Sequence, residues 1–141
     1  MIAVIYPKAD YTAEEVASKL ELNLDWVYVV PKRIRNENII KKKLSKVKYA
    51  VFIAFEDVLL DPLTKNNINY LKNQNKKIIA IISPDHKMQF CTDEMFIVDN
   101  KNIANVFQFV YSTLREINPK GDYSFEIIKG MIPIFALKIR N

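Results

Sequence analysis

Residues 49–82 read YAVFIAFEDVLLDPLTKNNINYLKNQNKKIIAII. Two apolar runs, Tyr49 to Phe55 and Ile78 to Ile82, enclose a polar stretch. Each run is nearly continuous rather than alternating, as befits a strand covered on both faces. Between them, Asp61-Pro62 marks a helix start. An aspartate accepts from the free amides of the first turn, and proline is tolerated there because no intrahelical partner is lost. Ile68 and Leu71, three residues apart, supply part of the helix's inner stripe, with Leu63 at its entrance. Ser83-Pro84 stops the second run. Strand, helix and strand form a crossover unit, and its strands are expected to be parallel.

The same unit recurs outward. Met1 to Tyr6 is a shorter apolar run ended by Pro7. Thr12 and Glu15 have the spacing of a capping box, which predicts a helix with Val16, Ala17 and Leu20 inward and Glu14, Glu15 and Lys19 in water. Trp26 to Val30 reads as a strand stopped by Pro31. Asn36 is the expected cap of a helix with Ile39, Ile40, Leu44 and Val47 on its apolar side. Met95 to Val98 is a fifth strand. Asn102 to Ile117 is the longest helix, with Ile103, Val106, Phe107, Val110, Leu114 and Ile117 at spacings of three and four. Alternating strands and helices predict an α/β fold, a three-layer flavodoxin-like parallel sheet of order 2-1-3-4-5, over residues 1–118.

Residues 119–141 break that rhythm and are expected to form a C-terminal β-hairpin packed on the same domain. Asn118-Pro119-Lys120-Gly121-Asp122 is a turn-rich linker; Tyr123 to Ile128 and Ile132 to Ile139 read as antiparallel strands around Lys129-Gly130. A lone hairpin cannot cover its own apolar residues. It extends the sheet, folds over one end, or pairs with a second copy as a homodimer.

With 141 residues, 50% apolar and 26% charged, the chain suits one domain with a real core. A single cysteine, Cys91, excludes a disulfide scaffold. No apolar run approaches the roughly 18 residues of a membrane span, and the first residues lack the order of a signal peptide. A cytoplasmic protein with no membrane partner is the expectation. Charge is uneven: Lys32, Arg33, Arg35, Lys41, Lys42, Lys43, Lys46 and Lys48 stand against one acid, Glu37, while the whole chain carries only +5. Lys32, Arg33, Arg35, Lys41, Lys42 and Lys46 form either an anion-binding surface, for a nucleotide or nucleic acid, or a solvated face of a lysine-rich composition.

In open α/β sheets ligands bind beyond the carboxyl ends of the strands, where strand order reverses. In the order 2-1-3-4-5 that crevice lies between the first and third strands. The expected ligand-binding residues are Tyr6, Lys8 and Asp10 after the first strand, Glu56 and Asp57 after the third, and Ser83 after the fourth; Asp61, Asp85 and His86 are neighbours. The only glycines are Gly121 and Gly130, so the first strand–helix turn cannot form a dinucleotide fingerprint, a P-loop or a flavin-phosphate loop. No cofactor is expected. With one histidine, His86, and one thiol, no soft-ligand metal set can be assembled and no metal is expected. Nothing in the sequence brings His86 and Cys91 together as a base and a nucleophile.

From Ile39 to Pro84 the order is a helix ending in Leu44-Ser45-Lys46-Val47, the strand Tyr49 to Phe55, a helix containing Asn67-Ile68-Asn69-Tyr70-Leu71, and Lys76-Lys77 leading into Ile78 to Ile82. This order resembles the centre of Toll/interleukin-receptor-like domains and the related nucleoside deoxyribosyltransferase-like proteins. In enzymatic members the resemblance implies cleavage of an N-glycosidic bond in NAD or a nucleoside, served by a glutamate near the start of the helix before the last strand. The matching position here is Asn67. A neutral amide cannot stabilise an oxocarbenium-like transition state, so the catalytic candidates become Glu56 and Asp57. Three readings follow: a non-enzymatic binding or interaction module with a basic surface, an N-glycosidic-bond-cleaving enzyme, and a nucleic-acid-binding protein using residues 32–48.

Overall fold

The computed structural model describes residues 1–30, 37–99, 102–117 and 136–139. The elements in chain order are β1 (Ile2–Ile5), α1 (Tyr11–Asn23), β2 (Val27–Val29), α2 (Glu37–Lys46), β3 (Tyr49–Ala54), α3 (Pro62–Asn73), β4 (Lys77–Ile82), β5 (Glu94–Val98), α4 (Ile103–Ile117) and β6 (Ala136–Ile139). Strands β1 to β5 are parallel in the order β2-β1-β3-β4-β5, the flavodoxin-like arrangement expected from the alternation. Strand β6 adds an antiparallel edge on β5, with Met95 opposite Ile139 and Val98 opposite Ala136. The other arm of the expected hairpin, Tyr123 to Ile128, and its turn at Lys129-Gly130 lie outside the described residues.

The continuous apolar runs are explained by two cores, one on each face. Alternate residues of β3 diverge: Val51 and Ile53 point to one side, Ala50, Phe52 and Ala54 to the other. The first side is covered by α1 through Val16, Ala17 and Leu20 and by α4 through Val106, Phe109, Val110 and Leu114. The second is covered by α2 through Ile40 and Leu44 and by α3 through Ile68 and Leu71. A fully buried side chain such as Leu20, Leu44 or Leu71 contributes about 1.5–3 kcal/mol.

Helix ends follow local chemistry, with one correction. Asp61 caps α3 as expected, accepting from the Thr64 amide at 3.1 Å ahead of Pro62. At its other end α3 closes in a Schellman turn. Asn75 adopts φ 57°, the Lys76 amide donates to Leu71 O at 3.0 Å, and the Asn75 amide donates to Lys72 O at 3.0 Å. The cap of α1, however, is Asp10 and not Thr12. Thr12 lies inside the first turn and its amide donates to Glu56 Oε2 at 3.3 Å, while Glu15 lies 3.8 Å from Lys19 instead of reaching back. The expected cap of α2, Asn36, lies outside the described residues. Two stripe assignments also shift. Ile39 is 54% exposed, because it sits about 100° from the inward Ile40. On α4, Phe109 is buried while Phe107 is only half-buried.

Candidate functional site

The carboxyl ends of β1 and β3 flank the point where the strand order reverses. Two polar groupings form there, and they divide the residues expected at a single site. The first is a structural latch around Asp10. Its Oδ1 accepts from the Ala13 amide at 2.9 Å, and its Oδ2 accepts from the Phe55 and Glu56 amides at 2.7 and 3.1 Å. One carboxylate thus caps α1 and pins it to the end of β3. Burial pushes its pKa above the ordinary aspartate value and the neighbouring Glu56 charge adds to this, against the pull of the three amides. Ser83 belongs to the same latch: it is fully buried, and its hydroxyl donates to Phe55 O at 2.7 Å.

His86 closes the latch from the β4 side. Its Nδ1 lies 3.0 Å from Glu56 O, so Nδ1–H donates to the carbonyl and Nε2 is the ring nitrogen left over. That Nε2 is buried with no partner, and the ring lies 5.8 Å from Phe52. Gln89 ties down the intervening loop by accepting from the Leu60 amide at 3.2 Å and donating to Val58 O at 3.3 Å. His86 is therefore held inside while Cys91 is exposed, and the two do not form a base–nucleophile arrangement.

The second grouping is the crevice itself, lined by Tyr6, Lys8, Val30, Asp61, Thr64 and Asn67. Its free space is about 10 Å³, room for roughly one water. Of the six expected ligand-binding residues it brings together Tyr6 and Lys8. Asp10, Glu56, Asp57 and Ser83 do not line it; Asp57 is exposed. Asp61 organises the crevice: it accepts from the Lys8 amide at 2.9 Å and from the Thr64 hydroxyl at 2.8 Å besides capping α3. Partial burial raises its pKa, but these three donors outweigh it and hold the carboxyl below the ordinary value.

The sign of the Asp61 contribution follows. Its stabilisation is present above the ordinary aspartate range and is lost as pH falls through the lowered folded value. Asp61→Ala is expected to cost about 1–2 kcal/mol at neutral pH, the usual worth of such a cap. Urea midpoints measured across acid pH check this: wild type and variant converge only below the ordinary aspartate range.

Asn67, which lines the crevice, is 5% exposed, and its Nδ2 has no partner. A buried polar atom without a partner costs free energy that an apolar side chain of similar volume avoids. Asn67→Leu is therefore expected to leave stability unchanged or raise it by about 1 kcal/mol. Asn67→Asp, which buries a charge, is expected to lower it by about 2 kcal/mol or more. Chemical denaturation of the two variants separates these outcomes.

The third expected grouping is the basic segment. Lys41, Lys42, Lys43 and Lys46 are all exposed on α2; Lys32, Arg33 and Arg35 lie outside the described residues. Lys43 Nζ stands 4.8 Å from the centroid of the Tyr28 ring and Lys41 Nζ stands 5.9 Å from that of Tyr70, so both stems lie along aromatic surface. None of the four pairs with a carboxylate among the described residues. On α3 the same layer adds Lys65 and Lys72 and no acid. The opposite layer differs: α1 carries Glu14, Glu15 and Glu21 against Lys19, and α4 carries Arg115 beside Glu116. The two helical layers thus present opposite charge.

Among the described residues no group of three or more histidine, cysteine or acidic side chains could hold a metal ion, and no helix is long and apolar enough to cross a membrane. No protein-family model and no curated protein matches the chain.

Proposed function

We propose that this chain is a non-enzymatic binding module that engages a phosphate-bearing partner, nucleic acid first among them, through the lysine face of α2 and α3. The observation that carries the reading is the separation of charge between the two helical layers. Six lysines project from α2 and α3 against the single acid Glu37. A face of one sign, with cationic stems steadied on Tyr28 and Tyr70, concentrates a polyanion and presents donors to its phosphates.

The enzymatic reading draws less support from the carboxyl end of the sheet. Asp10 is committed to three backbone amides, Asn67 is neutral, and neither Glu56 nor Asp57 lines the crevice. Fluorescence anisotropy of a labelled DNA duplex at low salt tests the proposal, because phosphate contacts are strongest there. Saturable binding is expected. Undetectable binding at low salt, or release of nicotinamide from NAD on incubation with the protein, overturns it.

A further inference from the structure

Opposite the crevice, at the amino edge of β4, lies an open pocket of about 450 Å³. That volume falls within the range of small-ligand pockets. Its rim is set by the way α3 ends. The Schellman turn at Asn75 reverses the chain so that Lys72, Lys76 and Lys77 all line the same concavity, with Ile78 and Cys91 on its wall. Each cation is placed differently. Lys72 Nζ sits 5.2 Å from the centroid of the Phe90 ring, Lys76 Nζ donates to Ser45 O at 2.9 Å, and Lys77 is exposed where β4 begins.

Two features that oppose an anion here are partly engaged by backbone amides. Near the end of α3, Leu71 O and Lys72 O accept from the Lys76 and Asn75 amides. The carboxylate in the pocket, Asp93, spends Oδ2 on the Ile78 amide at 2.7 Å. Three lysines therefore line the pocket against one hydrogen-bonded carboxylate, and the heads of Lys72 and Lys76 must turn from Phe90 and Ser45 to meet a ligand. Lysines act as point charges with rotatable donors, which suits a diphosphate group better than a planar carboxylate.

We propose that this pocket binds a small polyphosphate, its diphosphate group held by Lys72, Lys76 and Lys77. This goes beyond the binding of a macromolecular polyanion by α2 and α3, with which the pocket shares Lys72, since the pocket is concave, sized for a small molecule and built at the amino end of β4.

Cys91 makes the test direct, because it is the only thiol of the chain and it is exposed in the pocket wall. Its alkylation by iodoacetamide, a neutral reagent, is followed with inorganic pyrophosphate, with a nucleoside diphosphate, and with chloride at matched ionic strength. Both phosphates are expected to slow the reaction saturably, about fivefold or more once the pocket is filled. A lower half-saturation for the nucleoside diphosphate places its nucleoside in the pocket as well. Replacing Lys72 and Lys77 by glutamine raises the half-saturation roughly tenfold or more, and Lys77→Gln alone raises it in the same direction. Replacing Lys41, Lys42, Lys43 and Lys46 by glutamine leaves protection intact, so failure of the duplex-binding reading remains distinguishable. Equal slowing by chloride, no slowing by pyrophosphate, or unchanged protection in the Lys72/Lys77 variant overturns the proposal.

Discussion

Asp10→Ala is expected to melt roughly 10–20 °C below the wild-type protein, the shift that about 3–5 kcal/mol produces in a domain of this size. The change leaves the amides of Ala13, Phe55 and Glu56 without their acceptor. Each buried amide so orphaned costs about 1–3 kcal/mol. The loss also separates α1 from β3, so it is felt on the α1/α4 core as well as at the helix end. Asp10→Asn keeps the shape but turns an amide group toward N–H donors, and it is expected to recover only part of the loss. The pH dependence has the opposite sign from that of Asp61. Because burial raises the folded pKa of Asp10, its contribution is full below the ordinary aspartate value and declines as pH rises through the raised one. Thermal melts of wild type and Asp10→Asn across that range check the point: the decline is present in the first and absent from the second.

Replacing Lys41, Lys42, Lys43 and Lys46 together by glutamine is expected to weaken duplex binding about a hundredfold or more at low salt, as the loss of up to four phosphate contacts implies. Glutamine keeps helix propensity and the side-chain stems, whereas glutamate would add acids to the last turn of α2, where the helix dipole disfavours them. All four positions are exposed, and Ile40 and Leu44 still anchor the helix. The circular dichroism and melting temperature are therefore expected to change little, which separates lost binding from lost fold. Anisotropy titration of the same duplex gives the readout.

The sheet was legible because its information is local. Runs such as Tyr49–Phe55 and Ile78–Ile82 are apolar at every position, short, and rich in β-branched or aromatic residues, which together favour a strand covered on both faces. The α1 cap was not legible because Thr12 and Glu15 imitate a capping box, while the partners that select Asp10 are Phe55 and Glu56, 45 and 46 residues away. The inner stripe of α3 was only half visible. Thr64, Asn67, Ile68 and Leu71 are buried at helical spacing, but two of the four are polar. The division of the expected residues between the crevice and the latch was not legible for a related reason. Topology brought Tyr6, Asp10, Glu56 and Ser83 to one end of the sheet, yet backbone amides and carbonyls claimed Asp10 and Ser83, and no pattern of neighbouring residues reports that demand. The basic surface was visible as composition on α2. Its extension by α3 and the contrasting charge of α1 required the fold.

The dependence of duplex affinity on salt is the measurement that bears most directly on the lysine face. Wild type is expected to give a log–log slope of about −3 or steeper, set by the phosphates that α2 neutralises, and the four-glutamine variant a slope shallower by roughly 3. Equal slopes for the two proteins, or an affinity indifferent to salt, would contradict the assignment of binding to α2.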